Sequence, residues 1–322
     1  MLRLFANANY DFIGFRRRAY GITAAVILPG LLFLAVFGLN YSIEFTGGTL
    51  VQIQSKGDVD VARLRSGLDA EGLKGAEIQT FGGPHEVVIR ARLAREGIDP
   101  NDTQANAAAV TQALDRVLGA GSYTVTRTEA VGPKVGGELR QRALLAILLS
   151  FLAVLAYLAY RFEWRFGAAA VAATAHDIIA TIAFIGVMRL EVSLVVVAAV
   201  LSMVGYSLND TIIIFDRARE NLHKYKRDHF ADILNRSINE TLPRSVLTHG
   251  TTLSSLLALA IFGGEVIRPF SLVMFFGVFT GTFSSIYIAS PVLLAIEKHW
   301  PGADVRGARQ VAPAGREAVV SR

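Results

Sequence analysis

The sequence predicts an α-helical integral membrane protein with six transmembrane helices and one external α+β domain between helices 1 and 2. Two observations predict this class. The chain of 322 residues is 52% hydrophobic and only 18% charged, whereas soluble proteins are about 25% charged. In addition, six apolar stretches are long enough to cross a bilayer as helices, and a long polar stretch separates the first from the second.

The first transmembrane helix is predicted at residues 20–39, which carry no charge. Residues 1–19 are then a short cytoplasmic N-terminus with several arginines. A basic start followed by an apolar run is also typical of a secretory signal peptide. The run is about twenty residues long, however, and no small-residue cleavage site precedes Asn40. We therefore interpret it as a retained helix.

Residues 40–140 are predicted to form the external α+β domain. Alternating and helical periodicities predict strands at 49–55, 76–80, 86–92 and 122–131, and helices at 59–71 and 103–118. Asp58 is the expected N-cap of the first of these helices, and Gly82-Gly83-Pro84 the turn between the second and third strands. The order β-α-β-β-α-β is typical of a ferredoxin-like fold. His85 is interpreted as a surface histidine.

The remaining transmembrane helices are predicted at residues 141–160, 166–188, 192–215, 245–264 and 270–296. Residues 216–244 are expected to be a long basic loop, with a short interfacial helix at 231–241, and residues 297–322 a disordered tail. If every helix crosses once, this loop, the N-terminus and the tail share one side. The positive-inside rule then places both termini in the cytoplasm and the domain outside.

Several functional classes are disfavoured by composition. The net charge of +5 suggests nucleic-acid binding at first, but in a membrane protein basic residues gather in cytoplasmic loops, and we expect no nucleic acid. The chain has no cysteine, which excludes disulfides, thiolate metal sites and cysteine nucleophiles. No nucleophile elbow, phosphate loop or paired-histidine motif is present. We expect neither an enzyme nor a cofactor.

The candidate functional residue is Asp210, which lies inside the predicted fourth helix. A carboxylate at membrane depth costs about 2.5–3.5 kcal/mol on insertion scales, so it is expected to have a partner or a function. Helical spacing places Tyr206 on the face of Asp210, and the adjacent Asn209 extends this face through Gly205. Because small and polar residues favour helix contacts in membranes, we expect this face to point into the bundle.

Arg244 is the candidate partner of Asp210. We predict Thr241 as the N-cap of the fifth helix and Pro243 in its first turn, so that Arg244 begins this helix on the side where the Asp210 helix ends. A charge-assisted contact between the two side chains is compatible with these depths. The alternative is that Arg244 is a loop residue that reaches towards lipid headgroups.

The third helix contains a second buried carboxylate, Asp177. It is either a structural group bonded to a serine or threonine of a neighbouring helix, or a secondary site. His176 is not expected to pair with it, because adjacent helical residues point in different directions, and a metal site would need further ligands. Asp216-Arg217 is interpreted as an interfacial anchor. Gly277 and Gly281 form a G-x-x-x-G pattern, for which close helix packing is sufficient explanation.

Several longer motifs, in order along the chain, resemble those of the SecF branch of the SecD/SecF family, in the resistance-nodulation-division (RND) superfamily. They are YSIEFTGGT at residues 41–49, VGPKVGGEL at 131–139, FEWRF at 162–166, AHD at 175–177, VGYSLNDTIIIFDRAREN at 204–221 and NRSINETLPRSVLT at 235–248. The resemblance covers about residues 1–300 and implies the RND half-transporter layout. Glu44 is a departure, because aspartate is expected there.

The resemblance implies a function and site residues. It implies a subunit of bacterial Sec export in the inner membrane that works with SecD, the SecYEG translocon and preproteins, with protons as the coupling ion. The family's proton-relay Asp and Arg match Asp210 and Arg244, with Asp177 and Asn209 as secondary candidates. Gly47-Gly48 match the family's Gly-Gly, which we attribute to positive φ or close approach.

Two other classes stay open. One is a proton-coupled exporter of small or lipid-like substrates, since RND halves share this architecture. The other is a passive assembly scaffold in which the buried charges are purely structural. An exporter normally needs two six-helix halves and bulkier external domains, whereas this chain predicts one half.

Overall fold

The computed structural model describes residue 5 and residues 8–80, 83, 85–91 and 99–302. These fall into two compact units: residues 39–148 with 191–197, and the described parts of residues 1–38, 149–190 and 198–322. In chain order the elements are α1 (Arg16–Phe37), β1 (Asn40–Tyr41), α2 (Ile43–Thr46), β2 (Gly48–Ser55), α3 (Val61–Ala70), β3 (Glu77–Thr80), β4 (Glu86–Ala91), α4 (Thr103–Leu118), β5 (Tyr123–Val131), α5 (Pro133–Arg161), α6 (Trp164–Val187), β6 (Glu191–Val192), α7 (Leu194–Lys224), α8 (Phe230–Phe262), α9 (Gly264–Ser284), a π-helical turn (Ser285–Ala289) and α10 (Ser290–His299).

The first unit contains an antiparallel four-stranded sheet with the order β3-β4-β2-β5. With α3 after β2 and α4 after β4, this is the ferredoxin-like β-α-β-β-α-β arrangement, and the prediction is confirmed. The alternation of β2 turns Val51 and Ile53 inward, where they are fully buried with Leu68 of α3 and Leu114 of α4. The helix faces and the sheet face thus share one core.

The ends of several elements in this unit differ from the prediction. The N-cap of α3 is Asp60, whose carboxylate accepts from the N–H groups of Ala62 and Arg63, and not Asp58. The helix therefore begins two residues later than its periodicity suggested. Helix α5 begins at Pro133, inside the segment predicted as the external domain. Arg92 and most of the predicted Gly82–Pro84 turn lie outside the described residues.

A second, smaller sheet was not predicted. It consists of β1 and β6, which run parallel with Asn40 opposite Glu191 and Tyr41 opposite Val192. Such two-residue strands carry no periodic signal. Their pairing joins two segments that lie about 150 residues apart in the chain.

Six helices of the described chain are long and apolar enough to cross a membrane. They are α1, α5, α6, α7, α8 and the continuous helical segment Val266–His299, which contains most of α9, the π-helical turn and α10. The predicted number and order of the spans are confirmed. The chain thus has the architecture of a multi-pass membrane protein.

The predicted basic loop at residues 216–244 is wrong for most of its length. Helix α7 continues to Lys224 and α8 already begins at Phe230. The polar residues there satisfy one another across the two helices: Arg217 Nε donates to Glu240 Oε2 at 2.6 Å and Asn221 Nδ2 to Ser237 Oγ at 3.0 Å. Because many charges usually indicate a loop, the sequence predicted only a short separate helix at 231–241 here.

The predicted interfacial helix at 231–241 is part of the continuous helix α8. Its apolar residues Ile233, Leu234 and Ile238 are fully or almost fully buried against the protein. Thr241 is not an N-cap, since its hydroxyl donates to Ser237 O and Ile238 O inside α8. Pro243 accordingly lies in the helix interior and not in a first turn.

Two asparagines of α8 hold the N-terminal segment. Asn239 Oδ1 accepts from Tyr10 N and Asn235 Oδ1 accepts from Phe12 N, both at 2.8 Å, while both side-chain amides donate to Tyr10 O at 2.9 Å. The spacing of four residues places the two side chains on one helix face. The segment before α1 is thus fixed to the part of α8 that was predicted as a separate short helix.

A buried polar site in the helical unit

Asp210 lies on α7 with its side chain only 4% exposed. Its Oδ2 is 3.3 Å from Nδ1 of His249 on α8, whose side chain is 5% exposed. The imidazole nitrogen is not aligned for a hydrogen bond at this distance. Ser245, one turn before His249, is a further polar neighbour of the carboxylate. The buried Asp210 therefore has a titratable partner, but it is a histidine that the sequence analysis overlooked.

Arg244 is not the contact partner of Asp210. The arginine side chain is exposed, and it has neither an ion pair nor a hydrogen bond within the part of the chain that the structure describes. Arg244 lies in the interior of α8 and not at its start. It is five residues from His249, and five residues turn a helix by about 140° beyond one full turn. The two side chains therefore point to different sides of α8.

The face predicted to extend from Asp210 into the bundle is also different. Asn209, Gly205 and Ser202 are exposed, whereas Met203, Ser207 and Asp210 are buried. Gly205 has open space where a Cβ would stand. The prediction for α7 is therefore correct for Asp210, which faces inward. It is wrong for the row of small and polar residues beside Asp210, which faces outward.

Asp177 on α6 forms a second, completely buried polar cluster. Its Oδ2 accepts from Ser207 Oγ of α7 at 2.5 Å and from Ser284 Oγ of α9 at 2.7 Å. His176 Nδ1 lies 2.9 Å from Asp177 Oδ1, so the expectation that these neighbours do not meet is wrong. Both side chains bend towards each other from adjacent helix positions.

Helices α7 and α9 approach closely beside these clusters. A Cβ on Gly277 would lie 2.1 Å from Met203 Cγ, and one on Gly281 would lie 2.8 Å from Ser207 Cβ. Small residues permit such approach between helices. One turn further, Thr211 Oγ1 and Ser285 Oγ are 2.8 Å apart. Close packing thus brings polar groups of α7 and of the π-helical turn after α9 within bonding distance.

Charged pairs mark one end of the helices. Asp216 of α7 accepts from Arg161 at the end of α5 at 2.5 Å, and Arg217 pairs with Glu220 and Glu240. Glu297 of α10, 2% exposed, accepts from Arg165 Nε at 2.6 Å. Asp216 and Arg217 therefore bind α7 to α5 and to α8, about two turns before α7 ends.

Gly47 and Gly48 lie in the other unit, and both need glycine. Their φ angles are +72° and +134°, values that residues with a Cβ atom rarely adopt. A Cβ on Gly47 would also lie 2.8 Å from Pro133 Cα at the start of α5. The backbone here thus needs both positive φ and close approach.

The site contains two buried carboxylates, each beside an imidazole, inside helices that can span a membrane. Within the described residues no group of three histidines or carboxylates could hold a metal ion. Such an arrangement can take up and release protons at membrane depth. Six spans interrupted after the first by a ferredoxin-like domain define an RND-type membrane transport protein.

Comparison with known proteins places this chain in a family. A family model described as protein export membrane protein SecD/SecF, C-terminal, matches residues 110–299, and one described as the SecD/SecF GG motif matches residues 32–59. The chain is 54% identical to the protein translocase subunit SecF of Gemmatimonas aurantiaca, covering 100% of this chain and 97% of that protein. It is 41% identical to the SecF subunit of Magnetococcus marinus, covering 90% and 92%. The chain belongs to the SecF branch of the SecD/SecF family, whose members are named for protein translocation and not for catalysis.

Solved structures agree with this assignment. A crystal structure of SecDF from Thermus, described as a translocon-associated membrane protein, matches with a TM-score of 0.80 at 35% identity. SecDF in a super-membrane-facing form matches with a TM-score of 0.65, also at 35% identity. The chain spans only 39% and 40% of those SecDF chains, although it covers 90% and 94% of itself.

Proposed function

We propose that this SecF-family chain works with SecD to use the proton motive force for late translocation and release of preproteins. The observation that carries the proposal is the buried Asp210–His249 pair in two helices that can span a membrane. A carboxylate at this depth is costly, and a neighbouring imidazole gives it a second protonation partner. Protons are the coupling ion, and no other cofactor is required.

Protonation of Asp210 changes the local electrostatics. An ionised carboxylate attracts His249 at 3.3 Å and, from further away, Arg244. Protonation removes this attraction, so the preferred arrangement of α7 against α8 changes. One charge moved across the field gains about 2.3 kcal/mol per 100 mV. A local charge change then biases two helix arrangements.

The exposed polar face of α7 and α8 supports SecD as the partner. Asn209 and Arg244 are exposed within candidate spans, and so are the small or polar residues Ser202, Gly205, Gly250, Thr251, Ser254 and Ser255. Ionisable side chains inside membranes usually face protein and not lipid. A second six-helix half would cover this face, and the longer SecDF chains support this arrangement. Asn209 and Arg244 then belong to the proton path at that interface, with Asp177 as a secondary site.

The same proposal includes the location. We assign the chain to the bacterial inner membrane, with both termini in the cytoplasm and the α+β domain outside. The positive-inside rule supports this orientation, because Arg161, Arg165, Lys224 and Lys226 lie at helix ends on the N-terminal side of α1 in an alternating topology. We propose the SecYEG translocon and preproteins as further partners.

Export into inverted membrane vesicles tests the relay. Asp210→Asn and Arg244→Met should remove the stimulation of export by the proton motive force and leave ATP-driven export intact. Glu240→Gln, whose carboxylate lies in the charged helix extension, is the control. Wild-type stimulation in both variants, at equal amounts of SecD complex, would contradict the relay and favour a scaffold with structural charges.

A further inference from the structure

The first turn of α7 belongs to the unit of the α+β domain. Residues 191–197 form one compact unit with residues 39–148, and this range contains β6 and the residues Leu194–Val197 of α7. The same helix continues to Asp210, sixteen residues further along the chain. The helix with the buried carboxylate therefore starts within the external domain's own unit.

Glu44 of α2 caps this helix from a distant segment. Its Oε2 accepts from the backbone N–H of Leu194 at 2.6 Å. The hydroxyl of Ser193 accepts from Val196 N at 3.3 Å. The first N–H groups of a helix have no partner within it, and a carboxylate there is also favoured by the helix dipole. Glu44 thus supplies from another segment what a local N-cap cannot supply completely.

Two further contacts hold the same residues. Ser42 N donates to Val192 O at 3.0 Å and extends the parallel pairing of β1 with β6. Arg90 of β4 forms an ion pair with Glu191, and its side chain is only 12% exposed. Arg90 also donates to Gln79 of β3 at 3.3 Å. The chain just before α7 is therefore bonded both to Ser42 and to strand β4 of the main sheet.

We propose that Glu44 is a positioning residue for export, fixing the start of the Asp210 helix to the α+β domain. We call this set of contacts the α7 joint: Ser42, Glu44, Arg90, Glu191 and Leu194. The inference rests on the proposed proton-driven function. Movement of α7 on protonation of Asp210 reaches the domain through the joint, and the capping oxygen is the part of Glu44 that this needs.

Three variants of the full chain in complex with SecD test the joint. Glu44→Ala removes the acceptor, Glu44→Gln keeps a side-chain oxygen at the same distance, and Glu129→Ala removes a half-exposed glutamate of the same domain that pairs with Arg127. Hydrogen exchange of residues 191–197 and vesicle export with and without a proton motive force are measured on each. Exchange reports the cap directly, independent of transport.

Glu44→Ala should exchange about fivefold faster at Leu194, the change expected for one lost hydrogen bond. Its stimulation by the proton motive force should fall at least twofold, with unchanged SecD complex and ATP-driven export. Glu44→Gln keeps the acceptor but loses the charge that the helix dipole favours, so its exchange should be faster than that of the wild type and slower than that of Glu44→Ala. Glu129→Ala should exchange like the wild type, and both variants should keep their stimulation.

Three results would overturn the inference. They are full stimulation in Glu44→Ala despite faster exchange, an equal loss of ATP-driven export, or a Glu44→Gln variant that behaves like Glu44→Ala. Failure of the relay itself is recognised separately, because Asp210→Asn would then keep its stimulation. Faster exchange at Leu194 in Glu44→Ala would in that case still establish the cap, and the joint as a path for proton-driven movement would be overturned.

Discussion

His249 Nδ1 lies 3.3 Å from Asp210 Oδ2, and both side chains are almost inaccessible to solvent. Neither residue has an ion pair with Arg244, within the described chain. The pairing makes His249, which no sequence pattern singled out, the titratable partner that contacts the carboxylate. It also separates two roles: His249 contacts Asp210 inside this chain, while Arg244 faces outward.

The first prediction concerns this pair. His249→Asn should remove proton-motive-force stimulation as completely as Asp210→Asn, and the double variant should be no worse than either, because groups that act together are not additive. Vesicle export with and without a proton gradient measures the effect. His223→Gln, an exposed histidine bonded to the backbone of its own helix, is the control. Additive losses in the double variant would contradict a shared function.

The second prediction concerns the exposed face of α7. Gly205→Leu places a large side chain into open space, so the isolated chain should keep its thermal stability. The amount of SecD that co-purifies should fall severalfold if this face contacts SecD. Leu152→Phe on the exposed side of α5 is the control and should leave the complex intact. Undiminished SecD recovery with Gly205→Leu would place the interface elsewhere.

The third prediction concerns the Asp177 cluster. Ser284→Ala removes one of two hydroxyl donors to a buried carboxylate, and hydrogen bonds to charged groups contribute about 1.5–3 kcal/mol. The variant should unfold at a clearly lower temperature in detergent. Ser254→Ala removes an exposed hydroxyl that bonds within its own helix and should change the transition little. Equal transitions for both variants would show that Asp177 does not need this donor.

The fourth prediction concerns pH and the ion pair at Glu191. Burial raises the pKa of Glu191, Arg90 lowers it, and the carboxylates of Glu77 and Glu44 raise it further, with an overall increase from the ordinary value of 4.5. A raised pKa means that the folded chain binds more protons than the unfolded chain. The stability contributed by Glu191 is therefore complete below pH 4.5 and is lost as the pH rises through the folded pKa.

Thermal unfolding at a series of pH values measures this effect. The difference in midpoint between the wild type and Glu191→Gln should become less favourable to the wild type from about pH 4 to pH 7. Glu71→Gln, in an ion pair with Arg116 of the same domain, serves as the comparison for the effect of the substitution itself. A difference that does not depend on pH would mean that Glu191 titrates normally.

Features that depend on neighbouring residues could be predicted from the sequence. The order of strands and helices in the α+β domain follows from periodicities of two and 3.6 residues, which neighbouring residues determine. The six spans follow from apolar length. Asp210 and Asp177 were found because a carboxylate within such a span is unusual. All of these signals lie within one element.

Contacts between distant segments could not be predicted in this way. Pro243 suggested a helix start, so the sequence predicted a short helix at 231–241 and a separate span, where α8 is one continuous helix. As a result, Arg244 was placed at a helix end and His249 was not considered. Glu44 caps Leu194, and Asn235 bonds to the N-terminal segment, only because the folded chain brings these residues together. A single sequence contains no pattern that predicts such contacts.

The π-helical turn at Ser285–Ala289 fixes how many residues separate the contacts on its two sides. Ser284 and Ser285, at its start, bond to Asp177 and Thr211, whereas Glu297, beyond it, bonds to Arg165. Deleting one residue from this turn would rotate α10 by about 100° relative to α9 and carry Glu297 away from Arg165. The extra residue sets the rotational phase between two separately anchored halves of one span. The spacing from Ser285 to Glu297 therefore keeps both ends of this segment in contact with their partners.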